Sequence, residues 1–144
     1  MKVAEILEAK GHDVVITLRT TPVTRLAERL RADRIGALVV TPDGRRVEGL
    51  VTEREIIDAI ARHGSAALDL QASEVMNRSP RTCTPDDRVR DVMVTMTNAR
   101  VRHLLVMEGS DLRGIVSIGD VVKSVLDDAD LQVNVLRDAY LGHR

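Results

Sequence analysis

The apolar positions of the chain follow a pattern that occurs twice. Two segments carry apolar residues at positions i, i+3, i+4 and i+7, which is one face of an α-helix. The members are Val23, Leu26, Ala27 and Leu30 in the first segment and Val89, Val92, Met93 and Met96 in the second. A short apolar run follows each segment, GALVV or HLLVM. The repetition predicts two copies of a unit in which an amphipathic helix leads into a strand.

Each copy continues with a second apolar strand that ends in a hydroxyl residue. The strands read GLVTEREII near residue 50 and GIVSIGDVV near residue 115. Thr52 and Ser117 end the strands, and Glu55 and Asp120 follow three residues later, where a helical apolar pattern begins. Two helix–strand–strand–helix units therefore account for most of the chain. The duplication places two equivalent helix N-termini beside each other, and helix N-termini bind anions.

These motifs carry a resemblance to a known family. The chain resembles a tandem pair of CBS domains, often called a Bateman module. It has two copies of G-h-h-[ST]-x-x-[DE], where h is apolar, at 49–55 and 114–120, and each follows an R-h-x-x-L-h-V run. The resemblance implies an α+β fold of two β-α-β-β-α repeats related by a pseudo-twofold axis, with short N-terminal and C-terminal helices.

The expected organisation follows from the two copies. Residues 1–62 are predicted to form the first repeat, 63–73 a linker, and 74–144 the second repeat with a C-terminal helix. The tail from 124 to 141 carries apolar residues at roughly helical spacing with charges between them, which predicts an additional amphipathic helix.

The resemblance also implies a function. In the family, clefts between the repeats commonly bind adenosine-containing ligands, and the modules often dimerise. The chain is therefore expected to be a nucleotide-sensing regulatory module that binds AMP, ADP, ATP or NAD(H), a homodimer acting on an unidentified regulated protein. We expect no enzymatic activity, because the sequence has no nucleophile–base pair or glycine-rich phosphate loop. The alternative is a dimerisation or scaffold module that regulates a partner protein without a ligand.

The strand-to-helix motifs leave two interpretations open. The hydroxyl and the carboxylate three residues later form a capping box, in which each satisfies a backbone amide of the helix start. Alternatively, the hydroxyl and the helix amides receive a phosphate, and the carboxylate accepts hydrogen bonds from a ribose diol. Glu is the preferred carboxylate of the box, so Glu55 fits capping better than the shorter Asp120. In the family the Asp of this motif binds the ribose, which makes Ser117, Asp120 and the motif's Gly114 the first candidates and Thr52 and Glu55 the second.

Basic residues distinguish the second copy from the first. Gly36 and Ala37 precede the strand of the first copy, whereas Arg102 and His103 stand before that of the second. Related modules carry basic residues here that reach a bound phosphate, and the planar guanidinium donates two parallel hydrogen bonds to such a group. Arg102 and His103 are therefore predicted phosphate ligands, in a cleft that the sequence does not identify. Thr82, on the strand expected to flank the adenine, is a candidate for bonding the adenine edge.

The composition argues against several partners and sites, namely nucleic acid, an internal disulfide, a metal ion and a membrane. The net charge of −1 argues against nucleic acid as a partner, and a chain with one Tyr and neither Phe nor Trp has little to stack on bases. Cys83 is the single cysteine, so an internal disulfide is excluded and a buried thiol is expected. His12, His63 and His143 lack metal-ligand spacing, which predicts surface positions and no metal site. No apolar run approaches the length of a membrane span, so we expect a cytoplasmic protein without a membrane partner.

Overall fold

The computed structural model describes residues 1–141, with Leu131 described by its backbone only. The α-helices are α1 (Val3–Lys10), α2 (Val23–Ala32), α3 (Glu53–His63), α4 (Ala72–Val75), α5 (Val89–Ala99) and α6 (Ile118–Leu141). The strands are β1 (Ile16–Thr17), β2 (Ala37–Val40), β3 (Gly49–Thr52), β4 (Thr82–Cys83), β5 (His103–Glu108) and β6 (Asp111–Ser117). A 3-10 helix spans Gly64–Asp69. His143 and the C-terminal end of the predicted second repeat lie outside the described residues.

The strands form two three-stranded sheets with the same topology. In the first sheet β1 is parallel to β2 and β2 is antiparallel to β3; β4, β5 and β6 repeat this arrangement. The register places Ala37 opposite Thr52 and His103 opposite Ser117, so the start of each middle strand lies beside the hydroxyl residue that ends its partner. The mixed α+β architecture that the family resemblance implied is confirmed.

The two sheets pack against each other and are covered by helices on their other faces. Val39, Leu50 and Leu105 are buried between the sheets. The apolar faces predicted for α2 and α5 lie in two separate cores, one formed with β2 and β3 and the other with β5 and β6. The buried side chains of these cores are aliphatic or sulfur-containing and none is aromatic, as the composition requires.

Each core also contains a helix from outside the residues predicted for its repeat. Val3 and Leu7 of α1 pack in the core of the second sheet, while Ala72 of α4 and the following Met76 pack in that of the first. A Cβ atom built on Gly114 would lie 2.8 Å from Leu7 Cδ2. The boundaries at 62 and 74 therefore stay a prediction, because the packing of these helices crosses them.

The C-terminal segment differs from the expected short additional helix. The tail continues α6 without interruption from Ile118 to Leu141. Neither Gly nor Pro occurs between Asp120 and Leu141, so nothing in this stretch ends the helix. Of the helices within residues 1–141, none is long and apolar enough to cross a membrane.

Candidate functional site

A cleft of about 610 Å³ opens between the two repeats. Both strand-to-helix junctions line it, through Thr52 at the start of α3 and Ser117 at the start of α6. Its volume lies within the range of about 300–1,000 Å³ that is usual for small-molecule pockets. The two helix N-termini that the duplicated motif predicted are therefore brought to one cavity.

The first junction is a complete capping box. The amide N–H and the hydroxyl of Thr52 both donate to Glu55 Oε1, at 2.8 and 2.6 Å, and Thr52 Oγ1 accepts the amide N–H of Arg54 at 3.2 Å. The capping interpretation of Glu55 is thus confirmed, and its carboxylate also lies at the wall of the cleft.

The second junction has the same reciprocal pattern and one additional partner. Ser117 N–H donates to Asp120 Oδ2 at 2.9 Å, and Asp120 N–H donates to Ser117 Oγ at 3.1 Å. Aspartate therefore caps this helix as well, contrary to the expectation that it would fit less well. Lys10 Nζ lies 2.7 Å from the same Oδ2 and 2.9 Å from the carbonyl oxygen of Ile115. Asp120 is half-buried and does not line the cleft.

The electrostatics of Asp120 reflect these contacts. Burial alone would raise the pKa of its carboxyl group. The hydrogen bond from Lys10 and the backbone N–H of Ser117 outweigh burial, so the pKa of Asp120 lies below its usual value. Asp120 is accordingly ionised near neutral pH and paired with a lysine of the N-terminal helix.

Four arginines surround the cleft. Arg54, Arg81, Arg100 and Arg102 line it, against two glutamates, Glu53 and Glu55. Arg54 Nη2 donates to the carbonyl oxygen of Arg100, which joins the first repeat to the second across the cavity. The excess of positive charge on a chain of net charge −1 makes the cleft suited to an anion.

Arg102 and His103, predicted from the sequence as phosphate ligands, both line this cleft. The carbonyl oxygen of Arg102 accepts the amide N–H of Ile118 at 2.8 Å, which fixes Arg102 beside the first turn of α6. A Cβ atom on Gly36 would lie 2.6 Å from His103 Nε2, so the imidazole packs directly on the backbone of the first repeat. Burial, followed by the nearby charge of Lys10, lowers the pKa of His103.

We expect His103 to titrate below 6.5, its ordinary pKa, in an NMR titration of the imidazole protons. Replacing Lys10 by Met should raise that pKa, because the lysine charge disfavours the imidazolium. Since the pKa is depressed in the folded state, the neutral ring contributes stability above pH 6.5 that is lost as the pH falls through the folded-state pKa. A pKa of His103 at or above 6.5 would contradict this description of its surroundings.

The remaining predicted nucleotide ligands, Gly114 and Thr82, lie outside the cleft. Gly114 is buried against Leu7 and does not line the cleft. Thr82 is exposed on β4 and does not line it either, although the neighbouring Arg81 does. The expected burial of Cys83 is confirmed, and that burial raises the pKa of the thiol to about 12.

The expected surface positions of His12 and His63 are confirmed, since both side chains are exposed. In the described part of the chain, residues 1–141, no group of three or more His, Cys, Asp or Glu could hold a metal ion.

Several residues that line the cleft were not predicted from the sequence. Arg54 and Gly119 occupy the same variable position of the two motifs, between the hydroxyl and the carboxylate, where the pattern allows any residue. A Cβ on Gly119 would approach only to 3.6 Å of Ser117 Oγ, so packing does not require a glycine there. The small size of Gly119 leaves the first turn of α6 open to the cavity. The difference between Arg54 and Gly119 at this motif position was the sequence signal that could have identified both as cleft residues.

Comparison with known proteins finds the CBS domain in both the family models and the solved structures. A family model, the CBS domain, matches residues 3–62 and 72–127. The crystal structure of a CBS-domain containing protein from Agrobacterium tumefaciens is similar, with 38% identity and a TM-score of 0.81 over 85% of this chain and 91% of that chain. A CBS domain protein from Pyrobaculum aerophilum, complexed with AMP, has 28% identity and a TM-score of 0.71 over 83% of this chain and 89% of that chain.

A curated relative is longer than this chain. The mitochondrial CBS domain-containing protein CBSX3 of Arabidopsis thaliana is 34% identical over 98 residues, which are 65% of this chain and 48% of the plant protein. The match therefore spans about half the length of that relative.

Proposed function

The chain belongs to the CBS domain family as a tandem pair, and we propose that it is a cytoplasmic regulatory module that senses an adenine nucleotide. The observation that carries this proposal is the cleft where four arginines meet two helix N-termini. Helix N-termini and guanidinium groups are both favourable partners for phosphate. The proposed ligand is ATP, ADP, AMP or NAD(H), with its phosphates at this end of the cavity.

The phosphates are assigned to residues of both repeats. Arg54 and Thr52 contribute from the first, and Arg102 and Ser117 from the second. A ligand carrying more than one phosphate can contact both helix starts, so we expect ADP and ATP to bind more tightly than AMP. Ligand that bridges the repeats would favour one relative arrangement of the two halves, and this is how occupancy would be communicated to a regulated protein.

The nucleoside is assigned to the apolar part of the wall. Leu50, Ile57 and Val101 line the cleft together with Pro80. An adenine ring there packs on aliphatic groups, since the chain has no Phe or Trp. Glu53 is a carboxylate of the same wall that can accept hydrogen bonds from a ribose diol. The structural neighbour from Pyrobaculum aerophilum, which is complexed with AMP, supports an adenosine ligand for this fold.

A ligand-independent scaffold is the second candidate. It is favoured by the capping boxes, because Glu55 and Asp120 are both engaged in hydrogen bonds that stabilise the fold without a ligand. Capping does not explain why Arg81, Arg100 and Arg102 line the same cleft, which is why we favour the nucleotide-binding function.

Thermal unfolding of the full chain, stripped of bound small molecules, tests the proposal. Ligand at 100 times its dissociation constant adds about 2.7 kcal/mol to the free energy of unfolding, which raises the melting temperature by several degrees. We expect this shift with adenine nucleotides and a much smaller one with GTP, CTP or inorganic triphosphate. A flat response to ATP, ADP, AMP, NAD and NADH at millimolar concentration would favour the scaffold.

A further inference from the structure

The helix α6 carries a seam of exposed apolar residues along one side. The seam residues are Val122, Leu126, Ala129, Val133, Leu136 and Tyr140. Their spacing alternates between four and three residues, which is the a and d pattern of a coiled coil. All six are exposed, whereas Val121 and Ser124 of the same helix are buried against the body of the protein. The seam therefore faces away from the two repeats.

The seam begins within the CBS pair, at Val122 and Leu126, and continues beyond it. The family match ends at residue 127, and Val133, Leu136 and Tyr140 lie beyond it with exposed fractions of 54%, 71% and 72%. Helices in proteins take most of their stability from packing of an apolar face, and a contiguous exposed apolar surface marks an interaction site. A second helix is thus needed to cover the outer part of α6.

We propose that residues 122–140 form a parallel two-stranded coiled coil with the same helix of a second copy of this chain. A stripe that repeats every seven residues is complementary to itself about a two-fold axis. Leu126, Val133 and Tyr140 occupy the a positions of this register, and Val122, Ala129 and Leu136 occupy the d positions. Valine at a followed by leucine at d, as in Val133 and Leu136, favours two strands.

The flanking charges determine the orientation. In a parallel pair, position g faces position e of the second helix, which sets Gln132 beside Arg137 and Val125 beside Asp130. None of these contacts joins like charges. An antiparallel pair that aligns the seams would instead set Asp130 against Asp130 and Lys123 against Arg137. Like charges at such close positions repel, so the parallel arrangement is favoured.

The seam begins beside the nucleotide cleft. Val122 and Leu126 line an apolar groove with Ile118 and Gly119, and the last two residues also line the cleft. The coiled coil would therefore start within two turns of the cap at Ser117, on the same continuous helix. This proposal is independent of the ligand, because it concerns the unliganded chain.

Disulfide cross-linking of the full chain tests the parallel pairing. Cys83 is the single cysteine and is buried, so the wild-type chain serves as the control without an introduced cysteine. Leu136→Cys should form an intermolecular disulfide under mild oxidation, because position 136 meets itself in a parallel pair. Asp138→Cys, on the opposite side of the helix, should not. An antiparallel pair would bring position 136 against position 126, so that only the Leu126→Cys/Leu136→Cys double variant cross-links; that result would overturn the proposal.

Sedimentation provides the second measurement. The wild-type chain should sediment at twice its 15.9 kDa mass at tens of micromolar. Leu136→Lys should weaken the dimer at least 10-fold, whereas the adjacent Val135→Lys, at 57% exposure but outside the seam, should leave it intact. A wild-type monomer, or equal dissociation by the two substitutions, would contradict the coiled coil.

Discussion

Replacing Arg102 by Gln should weaken nucleotide binding by about 10- to 100-fold and leave the melting temperature of the unliganded protein nearly unchanged. Arg102 lines the cleft beside the first turn of α6. A hydrogen bond to a charged group contributes about 1.5–3 kcal/mol, which corresponds to that range of affinity. The side chain is exposed, and surface substitutions usually change stability by less than about 0.5 kcal/mol. Calorimetric titration with ATP, together with thermal unfolding, measures both effects.

Arg90→Gln is the matched control for this prediction. Arg90 is exposed on α5 and does not line the cleft. The substitution therefore removes the same charge from the protein as Arg102→Gln does, without changing the proposed site. Its affinity for ATP should stay within about two-fold of the wild type, since a distant surface charge is largely screened at physiological salt. An equal loss of affinity in the two variants would assign the effect to net charge and remove Arg102 from the site.

The exchange of α1 and α4, each of which packs in the core of the other repeat, should make Gly49 and Gly114 sensitive to a single added methyl group. A Cβ on Gly49 would lie 2.6 Å from Met76 Sδ and 2.9 Å from the backbone oxygen of Asn77, and one on Gly114 would lie 2.8 Å from Leu7 Cδ2. Overpacking of a core costs about 1–3 kcal/mol, and a clash with backbone is the harder to relieve. We therefore expect Gly49→Ala to destabilise the protein more than Gly114→Ala.

A double-mutant cycle tests the helix exchange itself. Leu7→Ala should cost about 2–5 kcal/mol, because the side chain is fully buried. Gly114→Ala should cost much less in the Leu7→Ala background than in the wild type, since the atom it strikes is gone. Gly64→Ala is a control at a glycine whose Cβ would meet no atom within 4 Å and which ends α3, away from the core that contains Leu7, so its cost should not depend on Leu7. Strict additivity of Leu7→Ala and Gly114→Ala would show that α1 does not pack on β6.

Periodicity predicted the fold because it reports burial along one element. The apolar faces of α2 and α5 and the strands that follow them repeat at a fixed offset, and their burial follows that pattern. The exchange of α1 and α4 between the cores could not be predicted in this way. An amphipathic helix carries the same pattern whichever sheet it covers, so its partner is decided by the three-dimensional path of the chain.

Part of the candidate site could also be predicted, because the repeated pattern includes the motifs that line it. The motifs located both helix N-termini, and the basic pair before β5 located Arg102 and His103. The contact between Lys10 and Asp120 joins residues far apart in the sequence, and no local pattern indicates it. Arg54 and Arg81 are also ordinary arginines by sequence, and only the fold brings them to the cavity of Thr52 and Ser117.

Calorimetric titration of the ligand-stripped wild-type chain with ATP, with GTP as the reference, tests the central claim most directly. The proposed function predicts one adenine nucleotide bound per chain, with ATP at least 10-fold tighter than GTP, and the arginine lining predicts an affinity that falls as salt is raised. If neither ATP nor any other adenine nucleotide binds at millimolar concentration, while the protein still unfolds cooperatively, the nucleotide-sensing function is contradicted.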